Sequence, residues 1–557
     1  MILMVCAARL RLLLAMLALM LVLALAVILG STFAPVAAPC PEDIETIWAI
    51  EDARTMSEKP LVTALDNNGV PLAYDRETNT FYCSLGLDNG EQWPDIHLTA
   101  PGAEGVSLLL ADDFTYDSCA EAVAMGNVYS LLAYTQEEYA YANLVFTGLP
   151  LMSLTAEGEI TRHDTPAYVE IGAYGEEAVR ANARVHIRGW SSRQYMKNGY
   201  RVEYTRGSGG RKVALQTPGI GRTDTLVLLP MASDRSMLRD RLSWALYDEM
   251  LGDEERFAAR PCVYVELMLD GQYAGVYLLM KPFDMEEELL RMGGSHVQRD
   301  SVYRSCITFL VGEEEAITEH PYGDSLGFRK YYEAVGSTPF QALDDFKALI
   351  EQEDDEAFCA QAMAQLDIES MLRMTLLLQA GGMTDNVFNN MFIWAEWTEA
   401  GYVYHFIPWD MDMSWGMREE EIGQQYEYWL HFPQADRLLN LNPGGQLRST
   451  LAGMWAQLRA DVFSEAHIES LLTQYAGELN DSGAMLRNAE RWETETYASD
   501  GQDILDFVNI RFALLDETIE RLSQPNAPRA LFLERTGWGE KSNPIEWAED
   551  DGTREGA

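Results

Sequence analysis

Basic residues are scarce: 41 Lys and Arg stand against 87 Asp and Glu, for a formal net charge of −46. That excess opposes docking onto the phosphates of DNA or RNA or onto anionic lipid headgroups, so no nucleic-acid partner is expected. The acidic residues are spread along the chain, and solubility is the first reading of them rather than a specific cationic ligand. Cysteine is sparse too, with seven in 557 residues, and Cys6 lies inside the N-terminal apolar segment. The others, Cys40, Cys83, Cys119, Cys262, Cys306 and Cys359, form no CxxC pair, which disfavours zinc and leaves any disulfide pattern unread. No internal repeat is evident.

What is present is apolar bulk. At 47% hydrophobic and 10% aromatic the chain can bury large cores, and 557 residues exceed what one core holds, so two domains with tails are expected. Residues 1–39 read as a targeting segment: Arg9 and Arg11 precede an uncharged apolar run over 12–30, then Ser31, Thr32 and small residues to Ala38. A signal peptide cut near Ala37 or Ala38 fits this pattern. The run is also just long enough to span a bilayer, so an N-terminal membrane anchor stays open beside it. Either way the remainder is expected to be exported, extracellular or at the cell surface.

Over 45–155 the sequence shows short strands split by turn signals, such as Asp66-Asn67-Asn68-Gly69, which predicts a small β-rich, Ig-like domain. A second region runs over 165–522. Its first half alternates at period two around 183–187 and 200–204, has a buried-type strand over 225–229 and a helix over 235–251, then a hairpin about Asp270-Gly271. From about 340 onward it turns mostly helical. A helix over 368–380 stops at Gly381-Gly382, a polar loop follows, and two strands over 391–397 and 402–407 lead to Trp409-Asp410. Residues 523–557 read as a loose acidic tail.

Magnesium-dependent phosphoryl transfer needs oxygen ligands that set a metal against the nucleotide phosphates, and a carboxylate to take the acceptor's hydroxyl proton. Protein kinases supply these in a fixed order: a helix, a loop with Asp and, five positions later, Asn, then a small hairpin and a metal-binding Asp. Asp385-Asn386-Val387-Phe388-Asn389-Asn390 repeats that spacing after the helix, and Trp409-Asp410-Met411-Asp412 follows the hairpin. Taken alone, Asp385 and Asn390 could cap turns, Asp412 could be a solvated residue, and Lys197 could be a surface lysine. His405 reads as a packed core or edge histidine.

Three segments together resemble the CotH-type spore-coat protein kinases, an atypical branch of the kinase fold. They are Arg188-Gly189-Trp190-Ser191-Ser192 with Lys197 and Tyr200; Asp234 to Arg239 with Val265-Glu266-Leu267 and Gly271 to Tyr277; and Asp385 to Asn390 with Ile407 to Asp412 and Gly416. The resemblance implies an α+β, kinase-like two-lobed domain after the Ig-like one, ATP and Mg²⁺ or Mn²⁺ as cofactors, and Ser or Thr of a secreted or surface protein as acceptor. It gives Asp385 the catalytic carboxylate role, makes Asn390, Asp410 and Asp412 the metal group, and puts Arg188, Ser191, Ser192 and Lys197 at the nucleotide. The chain departs from the family pattern at Lys281, where Glu is usual, and at Met196, where Pro is usual. A non-catalytic surface-binding protein or pseudokinase therefore stays open, and so does a glycoside hydrolase built on paired carboxylates.

Overall fold

Turn chemistry and period-two patterning account for where the chain changes direction. In the computed structural model, residues 44–87, 92–111, 118–189, 195–252, 260–283, 299–305, 328–333, 340–386, 390–417, 429–430, 432–496, 498–524, 530–531 and 546–547 are described. The fold is mixed α+β, with 34% helix and 31% strand among the described residues. The expected targeting segment over 1–39 lies outside the described residues, as does most of the expected tail. Among the described residues no helix is long and apolar enough to cross a membrane.

The chain divides into two compact units. The first, mainly 1–155, holds a six-stranded sheet in which Ala73–Asp75, Thr80–Ser84, Glu138–Thr147, Val128–Tyr134 and Ser107–Leu110 lie side by side in that order. Both Thr80–Ser84 and Thr55–Met56 run parallel to Glu138–Thr147. Phe81, Leu131, Leu144 and Phe146 fill its core together with Cys119, Ala122 and Val123 from the helix Cys119–Ala124. Ser118 caps that helix by accepting the Glu121 amide at 3.2 Å. The expected turn at Asn68-Gly69 forms with φ of +52° and +84°, values that Asn and Gly tolerate.

The second unit carries Arg188, Lys197, Asp385, Asn390, Asp410 and Asp412. Val179–Arg188 pairs antiparallel with Gly199–Thr205, which pairs with Thr225–Leu229, which pairs in turn with Gln272–Met280, as part of a closed barrel. The helix Arg239–Leu251 follows Thr225–Leu229. It starts four residues later than expected from the apolar spacing, because the carboxylate of Asp234 accepts the amides of Ser236 at 3.1 Å and Arg239 at 2.9 Å and holds the intervening chain as a turn.

A four-stranded sheet follows, ordered Phe328–Glu333, Ser301–Ser305, Met391–Thr398 and Gly401–Pro408. The helix Ile368–Gly381 leads into its last two strands. It is apolar nearly all round and buried along almost its whole length, the signature of a core helix. Asp367 caps its start, and Gly382 ends it at φ +61°, where a Cβ would meet Phe507 Cζ at 2.8 Å. Arg511 on the helix Gln502–Ser523 is wholly buried and donates from Nε to the Gln379 carbonyl at 2.7 Å, fastening the last long helix to this one.

Candidate active site

The helix stop at Gly382 releases the chain into the loop that carries Asp385, and the loop's end is fixed by the strand that begins at Met391. Between them Asn386 is fully buried and donates from Nδ2 to the carbonyls of Asn390 at 3.0 Å and Trp409 at 2.7 Å. The Trp409 amide returns a bond to the Asn390 carbonyl at 2.9 Å. These bonds tie the loop after the helix to the residue before Asp410, so two segments twenty residues apart present their side chains together. Asn390 and Asp410 both adopt left-handed backbone, φ +50° and +55°.

Asn390 stands between an acid and a base. Its Nδ2 donates to Asp385 Oδ2 at 2.5 Å, and its Oδ1 accepts from Arg304 Nη2 at 2.7 Å. The amide oxygen keeps a second lone pair for another partner. Arg304 also lies 4.0 Å from Asp410 Oδ2, and Arg188 lies 4.0 Å from Asp410 Oδ1 while its guanidinium sits over the Trp409 ring at 5.6 Å. At 4.0 Å both arginines give charge to Asp410 without a hydrogen bond. Burial, opposed by Asp410, pulls the Arg188 guanidinium below its ordinary value.

Asp412 has a partner of its own. Its Oδ2 accepts from Ser233 Oγ at 3.2 Å, and burial, then the charges of Asp410 and Asp385, push its carboxyl up to about 7. Met411 and Trp415 are wholly buried, and the Trp415 indole donates to Ser243 Oγ at 2.8 Å. Gly416 needs its φ of +79° and its missing side chain, since a Cβ would stand 3.0 Å from Phe507. Arg239 closes the arrangement: its guanidinium pairs with Asp234 at 2.7 Å and donates to the Ser414 carbonyl at 3.1 Å.

A family model described as CotH kinase protein matches residues 185–515, more than half of the chain. The chain belongs to this CotH kinase family. No curated protein matches it. All the residues brought together above lie within the matched CotH span.

The sequence-expected residues divide into two groups. Asp385, Asn390, Asp410 and Arg188 are linked by the contacts around Arg304 just described, and Asp412, bonded to Ser233, is near enough for the charges of Asp410 and Asp385 to act on it. Lys197 engages other partners: its buried ammonium donates to the Val276 carbonyl and to Asn488 Oδ1 at 3.0 Å, and it lies 4.7 Å from the Tyr277 ring centre. Burial lowers its pKa to about 7. Ser191 and Ser192 lie outside the described residues. His405 is wholly buried, between Asp367 at 2.6 Å and Glu396 at 2.9 Å, with Trp394 stacked on it.

Sequence reasoning passed over Arg304, Ser233, Asn386 and Asp240. Arg304 sits on a short strand whose register against Met391–Thr398 brings it beside Asn390, a long-range pairing with no local signal. Asp240 directly follows the quoted Asp234 to Arg239 segment.

A divalent cation is the group that the kinase chemistry implies. Among the described residues no three His, Cys, Asp or Glu side chains are arranged to hold a metal ion. Mg²⁺ commonly takes only one or two protein carboxylates and completes its shell with water and phosphate oxygens. The donors here fit that habit. Asp410 and Asp412 carry hard oxygen donors two residues apart, the carboxylate of Asp240 is buried with Oδ1 unbonded, and burial, then like charge, raises both Asp412 and Asp240. Asp410, Asp412 and the Asn390 amide oxygen are the groups that would hold the ion.

Proposed function

We propose that this CotH-family chain is an exported, Mg²⁺- or Mn²⁺-dependent phosphotransferase that moves the γ-phosphate of ATP to Ser or Thr of a secreted or surface protein. The observation that carries the reading is the chain of contacts from Asp385 through Asn390 to Arg304, with Asp410 beside Arg304 and Arg188. It joins a carboxylate, an amide, a metal-type carboxylate and two guanidinium groups, the parts that phosphoryl transfer asks for. In this reading a kinase-like two-lobed domain spans about 165–522 and an Ig-like domain precedes it over about 45–155.

The bound cation would neutralise charge on the phosphates. Asp385 orients the acceptor hydroxyl and takes its proton, while Asn390 holds that carboxylate in place through Nδ2. Arg188, near Asp410 without a hydrogen bond to it, would reach phosphate oxygens, and Arg304 adds positive charge beside Asp410. Ser191, Ser192 and Lys197 belong to the nucleotide side of the proposal.

The test is incubation of the purified chain, without its N-terminal apolar segment, with labelled ATP and Mg²⁺ or Mn²⁺. Label should appear on Ser or Thr of an added secreted protein or of the chain itself. No label with either metal, from a folded chain, would overturn the reading. A second reading, nucleotide binding without turnover, is favoured by one observation: the partners of Lys197 are a carbonyl, an amide and an aromatic ring rather than a carboxylate. Metal-dependent ATP binding with no label would select it.

A further inference from the structure

Asp240 is the second residue of the helix Arg239–Leu251, and only 4% of it is exposed. A carboxylate in a first helical turn is ordinary when it faces water. This one does not. Its Oδ1 is buried and accepts no hydrogen bond, although unpaired buried charge is among the costliest things a fold can keep. The charges that act on it are, in order, Asp412, Asp410 and Asp234, with Arg188 opposing.

Its neighbours show that this placement is enforced. Asp234 is saturated by Ser236 and Arg239. Arg239 anchors the helix start to the Ser414 carbonyl, and Ser243, one turn further on, bonds Ser414 Oγ at 3.1 Å and the Trp415 indole. The helix is therefore pinned against the segment just after Asp412, and Asp240 is held where the charges of Asp412 and Asp410 act on it, with Arg188 opposing and no ion pair formed. A ligand that brings positive charge between these carboxylates resolves the arrangement.

We propose that Asp240 is a positioning residue of the divalent-cation site, an outer carboxylate that acts on the ion through water from behind Asp410 and Asp412. This rests on the reading of that site as a metal centre. Outer groups of this kind change metal affinity on the order of 10-fold to 100-fold.

The experiment uses the wild-type chain, Asp240→Asn and Asp410→Asn, with free Mn²⁺ followed by electron paramagnetic resonance and melting followed with and without Mn²⁺. Asp240→Asn keeps shape and removes charge. It should bind Mn²⁺ about 10-fold more weakly, show a smaller Mn²⁺-induced rise in Tm, and melt without metal at or above the wild-type temperature, because one buried like charge is gone. Unchanged Mn²⁺ affinity in Asp240→Asn, with the wild type binding and Asp410→Asn impaired, overturns the inference and leaves the metal centre standing. Metal-free destabilisation or failure to fold overturns it as well, since the carboxylate would then serve the fold. A wild-type chain that binds no Mn²⁺ overturns the metal centre and the inference together.

Discussion

Asn390 donates to Asp385 across 2.5 Å, and the other end of the same amide is held by Arg304 at 2.7 Å. The carboxylate is thereby oriented by a neutral group that a guanidinium keeps from rotating. Asp385→Asn leaves an acceptor for that bond but removes the proposed base, so turnover should fall by about 10²-fold or more while nucleotide binding is largely kept. Asn390→Ala should instead shift half-activation to higher Mg²⁺ or Mn²⁺. Metal titrations of activity alongside ATP binding separate the two. Equal loss of binding and turnover in both variants would make the pair caps of a structural loop.

Asp410 stands at φ +55°, a region Asp and Asn enter more readily than other side chains. Two substitutions therefore separate chemistry from fold. Asp410→Asn should lose turnover by about 10²-fold or more with little change in denaturant midpoint. Asp410→Ala should lose turnover equally and destabilise by about 1 kcal/mol besides. Wild-type-like labelling by either folded variant would remove Asp410 from the site.

Gly275 explains part of the Gly271 to Tyr277 motif in physical terms. Its φ is +90°, and a Cβ there would stand 2.5 Å from Asn488 Oδ1 and 2.8 Å from the Trp492 indole nitrogen. Asn488 Oδ1 is the atom that receives Lys197 at 3.0 Å and the Val276 amide at 3.1 Å. Gly275→Ala should therefore cost about 1–3 kcal/mol and displace Asn488 from Lys197. Urea unfolding measures it, and an unchanged midpoint would show that Asn488 can move aside freely.

Local signals made the elements legible. The Gly381-Gly382 stop, the two strands over 391–397 and 402–407 and the Asp-x4-Asn spacing are all contained within a few residues, and Gly382, Met391–Thr398 and Gly401–Pro408 lie close to where those signals put them. Arg304 was not legible, because its place depends on pairing with Phe392, on a strand far along the chain. Asp240 carries no local signal beyond that of an acidic residue near a helix start. Its burial comes from Arg239 and Ser243 reaching Ser414, more than 170 residues away. In the first unit, turn signals located strands, but the parallel pairing of Thr80–Ser84 with Glu138–Thr147 is a long-range choice that turn residues do not encode.

Lys197 and His405 are two buried bases whose titrations act on stability in opposite senses. Burial lowers Lys197 to about 7, whereas in the unfolded chain it holds its proton to about 10.4. Between those values the unfolded chain binds more protons, so the penalty of burying the ammonium is full below about 7 and is relieved as pH rises. For His405, burial works against the imidazolium, yet the hydrogen bonds and charges of Asp367 and Glu396 outweigh it and leave the pKa raised. Its contribution is fully present below the unfolded value of about 6.5 and is lost as pH rises through the folded one. Urea midpoints of wild type, Lys197→Met and His405→Gln across pH 6 to 10 should therefore diverge. Relative to Lys197→Met the wild type gains stability as pH climbs above about 7; relative to His405→Gln it loses stability over the rise above about 6.5. Two differences that change with the same sign would mean that one of these bases does not hold the charge state its surroundings dictate.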